Sequence, residues 1–194
     1  MSLQLVTPPA VEPVTLAEAK LHLRVDYSDD DALITTLIAA ARQQAETITG
    51  RQFCTATWKL NLDAFPGYGY AALGGILLPK APVASITSIQ YLDMGGSLQT
   101  LSNTLYAADL ANEPARVTPV FGQIWPVTLP QINAVQITFV AGYGVAAAVP
   151  EGIKAWIKIR VASMFANREE ISSERVWPIG FIDSVLDPFR VVTL

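Results

Sequence analysis

The sequence is poorest in the residues that usually carry chemistry. It has one cysteine, Cys54, and one histidine, His22. A single thiol excludes an internal disulfide, and one of each residue is too few for a zinc site. No GxSxG motif is present, and the lone histidine, in a short helix, has no nucleophile to serve, so it reads as a surface or packing residue. Charge is scarce too: 15% of residues are Asp, Glu, Lys or Arg, with a net charge of -4 and a pI near 4.9. Gripping nucleic acid by its phosphates takes a dense excess of Lys and Arg, so that is not expected to be the main task. Long hydrophobic runs are also missing. The stretch around Val140 to Val149 is the longest weakly polar one, contains two glycines and is far too short to span a bilayer, so no membrane role is expected. The start MSLQLVTPPAVEP lacks the charged and apolar regions of a signal peptide, and a reducing cytoplasm is the expected place of synthesis.

What the sequence does have is helix. At 194 residues and 51% hydrophobic, the chain is long enough for one well-buried domain. From Ser28 to Gly50 the apolar residues Leu33, Ile34, Leu37, Ile38, Ala41, Ala45 and Ile48 recur at three- and four-residue steps on one stripe. Ser28 is placed to cap this helix, Asp29, Asp30 and Asp31 suit the positive end of its dipole, and Gly50 supplies a left-handed stop. The large members of the stripe gain about 1.5–3 kcal/mol each on full burial, so this helix needs a partner. Before it, Thr15 with Glu18 forms a capping-box pattern that opens a short helix from Leu16 to about Leu23. The acidic turn Asp26–Asp31 lacks the alternating ligands, central glycine and distant glutamate of a calcium loop, and no metal is expected there. The proline-rich first dozen residues read as an extended arm lying on its own domain or on a neighbour.

After Arg51 the period becomes alternating. Trp58, Leu60 and Leu62 share one face of a strand over Thr57–Asp63, and ILLP, VASITSIQYLD, QTLS and TLYAADL continue as short strands, with a hairpin turn at Met94–Gly96. Further strands are expected at Ala115–Val120 and Ala134–Ala141. The expected organisation is a β-rich insertion over 53–145. Its glycine-rich pieces, GYGYAALGG and AGYG, lack the helix, Lys and Ser/Thr of a phosphate loop, so no nucleotide cofactor is expected. The aromatics Phe65, Tyr68 and Tyr70 beside the first of these loops mark either a contact surface or an ordinary loop.

Pro150 then opens a second strong helix, with Ile153, Trp156, Ile157, Val161, Met164 and Phe165 on one stripe. This is the partner the long helix requires. Lys154, Lys158 and Arg160 are the nearest thing to a basic patch and the only candidate DNA-facing residues, though Glu151 lies on the same face as two of them and a solvated helix face is the favoured reading. The tail, 170–194, carries Trp177, Phe181, Ile182 and Phe189 among Pro178, Gly180 and Pro188, which prevent one long helix. Its apolar content predicts an arm docked on another subunit or protein. Acidic pairs such as Glu169-Glu170 occur only at helix ends, and no catalytic constellation emerges. The fold class expected from the residues is α+β, mainly α: a small helical bundle of 29–50 packed on 150–168, with the β-rich insertion and a C-terminal arm, in one domain.

The order of these pieces resembles a known family. VTLAEAKLHLRVDYSDDDALITTLIAAARQQAETITGRQF, a W-K-L strand ending in FPG, LPKAPVASITSIQYLD, NAVQITFVAGYG and VPEGIKAWIKIRVASMFANREE together resemble the head-to-tail connector proteins of tailed bacteriophages, also called adaptor or head-completion proteins, with relatives in prophages and gene transfer agents. The resemblance covers residues 10 to 170. It implies a structural virion protein, not an enzyme, made in the bacterial host and assembled as a ring, typically of twelve copies, below the portal protein. Such a ring extends the DNA channel and seats stopper or tail proteins, while DNA passes without sequence-specific binding. Trp177, Phe181, Ile182 and Phe189 are then the expected anchors on the portal or an adjacent subunit. A DNA-contacting packaging factor using Lys154, Lys158 and Arg160 is the alternative.

Overall fold

The computed structural model describes residues 1–67, 75–167 and 183–191. In chain order the elements are β1 (Ser2–Thr7), α1 (Leu16–Leu23), α2 (Asp31–Thr49), β2 (Ala56–Leu62), β3 (Ile76–Leu78), β4 (Val83–Leu92), β5 (Leu98–Thr100), β6 (Tyr106–Asp109), β7 (Ala115–Pro119), β8 (Val135–Ala141) and α3 (Glu151–Ala166). A 3-10 turn at Ala146–Ala148 precedes α3, and another, Asp183–Phe189, follows it.

The mainly helical expectation is wrong. Of the described residues 31% are helical and 29% lie in strands, so this is a balanced α+β fold rather than a bundle with an insert. Two antiparallel sheets form, one of five strands ordered β1-β2-β8-β4-β5 and one of three ordered β3-β7-β6. The physical reason is that the strands bury a core of their own. Leu60, Ile89, Val135, Ile137 and Phe139 are fully buried there, with Leu78 and Val117 of the smaller sheet. Alternation along β8 puts Val135, Ile137 and Phe139 inward, as the pattern requires. The N-terminal arm joins this layer: Ser2 pairs with Asn61 and Leu5 with Trp58, making β1 an edge strand of its own domain.

The helical half is built as its periodicity demands. Both capping-box bonds are present, Glu18 N donating to Thr15 Oγ1 at 3.2 Å and Thr15 N to Glu18 Oε2 at 2.7 Å. Ile34, Ile38, Ala41 and Ala45 of α2 pack against Ile153, Trp156, Ile157 and Val161 of α3. Gly50 ends α2 at φ +71°, the left-handed stop. Ser28 is not the cap. Asp30 stands at that position without a side-chain cap bond, and Asp31 is drawn into a 2.6 Å ion pair with Lys20 of α1.

The junction of the two layers is close. Gly142, at φ +123°, lies where an added Cβ would sit 2.7 Å from the Cys54 carbonyl, and Tyr143 N donates to Phe53 O at 2.8 Å. That approach lets β8 turn directly into the segment leading to α3. No described helix is long and apolar enough to cross a membrane.

Candidate assembly surfaces

Two polar networks hold the layers together. Glu46, on the edge of the α2 stripe, accepts from Arg42 at 2.7 Å, from Gln52 Nε2 at 2.7 Å and from the buried Phe53 amide at 3.0 Å, while Arg42 Nε reaches Glu12 at 2.7 Å. Burial raises the Glu46 carboxyl, against the pull of the Phe53 amide and Arg42; Arg42 stays charged between its two carboxylates. Farther along, Arg51 pairs with Glu113 ahead of β7 and donates to the Phe189 carbonyl, with its guanidinium 5.9 Å from the Tyr143 ring centre. Sequence reading missed both networks. The signal was Arg42 and Glu46, four apart, each one position after a buried alanine.

On this frame sit two apolar surfaces. The first is the connection from β7 to β8. Between Arg116 and Glu151 the sequence has no Asp, Glu, Lys, Arg or His. The loop is tied down: Trp125 is 8% exposed and stacks on Phe65 with centroids 4.8 Å apart and planes 3° from parallel, Leu129 N donates to Leu92 O at 3.0 Å, and Asn133 N to Asp63 at 2.9 Å. It nonetheless presents Phe121, Ile124, Val127 and Ile132 at 69% exposure or more. Large apolar side chains held out in water this way forgo about 1.5–3 kcal/mol each and mark contact surfaces.

The second is a groove of about 470 Å³ where the arm crosses α2, lined by Val11, Val14, Leu16, Ile38, Val145 and Ala146. Its one charged wall residue, Glu12, is held by Arg42. Among the described residues no group of His, Cys, Asp and Glu is arranged to hold a metal ion. Cys54 is fully buried, and burial pushes its thiol up to about 11.

The residues singled out from sequence fall apart into separate places. Trp177, Phe181 and Ile182, with Tyr68 and Tyr70, lie outside the described residues. Phe189 is half-buried on its own helical core beside Leu186, its ring 3.1 Å from where a Cβ on Gly152 would stand, and Val191 N donates to Thr49 O at 2.8 Å. The described end of the arm thus packs on its own chain. Lys154 is 8% exposed and paired with Glu151 at 2.9 Å, Lys158 is half-buried, and Arg160 donates to Gln44 of α2 at 2.8 Å. Lys154 and Lys158 share a face of α3, whereas Arg160 is turned about 160° from Lys158 around the axis, so the three form no continuous basic strip. His22 is exposed.

Comparison with known proteins fits the motif resemblance. Residues 13–89 match the sequence model of the family described as phage gp6-like head-tail connector protein. No curated protein sequence is a significant match. Among solved structures, a chain from the virion of a native gene transfer agent particle superposes with a TM-score of 0.81 at 22% identity, covering 100% of this chain and 97% of that one. Chains from the neck of an empty gene transfer agent particle computed with C6 symmetry, and from the neck of a native one computed with C12 symmetry, give TM-scores of 0.78 and 0.76 at 22% identity, again over 100% of this chain and 97% of theirs. The chain therefore matches the phage head-tail connector family through residues 13–89 and has, along its whole length, the fold of gene transfer agent neck chains.

Proposed function

We propose that this protein is a structural head-tail connector: a ring of identical copies in the neck of a phage or gene transfer agent particle, seated below the portal and offering its far side to stopper or tail proteins. The observation that carries the reading is the end-to-end fold match to neck chains, joined to the family match in the first half of the sequence. C12 symmetry in one of those necks supports twelve copies. The net charge of -4 suits a conduit through which DNA slides without being gripped. Apolar surface held rigidly outward suits a part that is finished only by its neighbours. Trp177, Phe181 and Ile182 supply the arm that anchors the ring on the portal or on an adjacent copy.

Replacing Trp177, Phe181 and Ile182 together by serine, which leaves Leu186 and Phe189 on the helical core, and mixing the purified chain with portal-bearing heads tests the role of the arm. The variant is expected to keep the wild-type unfolding midpoint but to leave heads unjoined to tails; joining at the wild-type rate contradicts it. The packaging-factor alternative has weaker support, since Lys154 and Arg160 are engaged by Glu151 and Gln44. Duplex DNA binding at low salt that falls steeply as salt rises would favour it.

A further inference from the structure

We propose that the uncharged loop of one copy, led by Phe121 and Ile124, seats in the groove of the next copy beneath Val11 and Val145. This rests on the ring reading above. A closed ring of more than two copies cannot be built from one self-complementary patch: each copy must offer two different surfaces that fit each other. The described residues present such a pair, one convex and one concave.

The two surfaces cannot meet within one molecule. The loop enters β8 at Val135, and the groove wall Val145–Ala147 follows the far end of that strand at Ala141. Seven extended residues separate them by about 20 Å. Position at opposite ends is what a head-to-tail contact between copies requires.

Charge points to the same pairing. Each copy carries a net charge of -4, so identical copies repel wherever their acidic surfaces face. The loop has no ionisable side chain, and the groove's single carboxylate is already paired with Arg42. Contact there avoids both repulsion and the cost of burying an unpaired charge. Size is suitable as well: a groove of about 470 Å³ falls within the range of about 300–1,000 Å³ typical of sites that enclose a ring with aliphatic neighbours. Stacking of Trp125 on Phe65 holds the loop in place beforehand, so docking orders little that was free.

The test uses particles assembled from cysteine variants of the full chain. Val127→Cys and Val145→Cys are placed together on one chain, at positions 72% and 68% exposed, and a short bismaleimide is added; buried Cys54 does not compete. The expected result is a ladder of cross-linked multimers, with dimers only when the two single variants are mixed. Ile124→Asp should raise the concentration needed for ring formation at least tenfold without moving the unfolding midpoint, while Leu21→Asp, at a site 82% exposed away from both surfaces, should leave it unchanged. Rings that form normally with Ile124→Asp and give no loop-to-groove cross-link overturn the proposal and leave the ring reading standing. Rings that persist while joining to heads or tails is lost assign the loop to another particle protein, and overturn it equally. Absence of any ring containing the wild-type chain overturns both.

Discussion

Glu46 is the buried group whose removal should cost the fold most per atom lost. Its side chain is 9% exposed and accepts three hydrogen bonds, one from Arg42 on its own helix and two from the adjacent residues Gln52 and Phe53 beyond the end of that helix. In Glu46→Ala the Phe53 amide, fully buried, loses its acceptor at a cost of about 1–3 kcal/mol, and the Gln52 amide loses one worth about 1 kcal/mol. Arg42 loses one carboxylate but keeps Glu12, so the remaining penalty is smaller than the roughly 3–5 kcal/mol of stranding a buried charge outright. The sum is about 3–5 kcal/mol, a large part of the stability of an ordinary domain. Glu46→Gln keeps an acceptor for Phe53 but turns a donor or a neutral oxygen toward Arg42, and should cost about half as much. Urea unfolding followed by tryptophan fluorescence reads both: the midpoint should fall in the order wild type, Gln, Ala, with an unchanged slope. A loss below about 1 kcal/mol for the alanine variant would refute the reasoning that this carboxylate ties α2 to the start of the sheet layer.

Other outcomes follow from the same geometry. Gly142→Ala forces a Cβ to within 2.7 Å of the Cys54 backbone at φ +123° and should destabilise by about 2–5 kcal/mol, read by the thermal midpoint. Cys54, buried and with its thiol pushed up to about 11, should react with a disulfide reagent at pH 8 at least about a hundredfold more slowly than after unfolding in urea. The Glu18 carboxyl is lowered by its hydrogen bonds from the Thr15 backbone and hydroxyl, so its contribution is present above the ordinary value of 4.5 and is lost as pH falls through the lowered one. Glu18→Gln should therefore differ most from wild type at neutral pH and converge with it in acid, measured as helix content or unfolding midpoint against pH.

Local chemistry was legible in the sequence, and long-range chemistry was not. Thr15 and Glu18 are three residues apart and satisfy each other, so their pattern alone locates α1. Gly50 and the alternation of Val135, Ile137 and Phe139 are readable for the same reason. Ser28 looked like a cap because nothing nearby says that Asp31 belongs to Lys20, eleven residues back. β1 was invisible as a strand because its partner, β2, begins some fifty residues later, and strand register is a property of the pair. That hidden strand, with the separate burial beneath the two sheets, is why a helical bundle was expected where a balanced α+β fold exists. At the assembly surfaces, the charge-free run after Arg116 is plain in the sequence, but only the stacking of Trp125 on Phe65 decides that Phe121 and Ile124 face outward rather than in. The basic trio failed as a patch on simple helix geometry, since Arg160 stands on the other side of α3 from Lys158.

Copies of this chain are proposed to form the ring that joins head to tail. Electron microscopy of particles from a host producing an affinity-labelled form of the chain, with the label located in the reconstruction, reads this out. The expected result is a single closed ring of label density in the neck, with the twelve-fold symmetry computed for one structurally similar neck. Intact, tailed particles whose necks carry no label would contradict it.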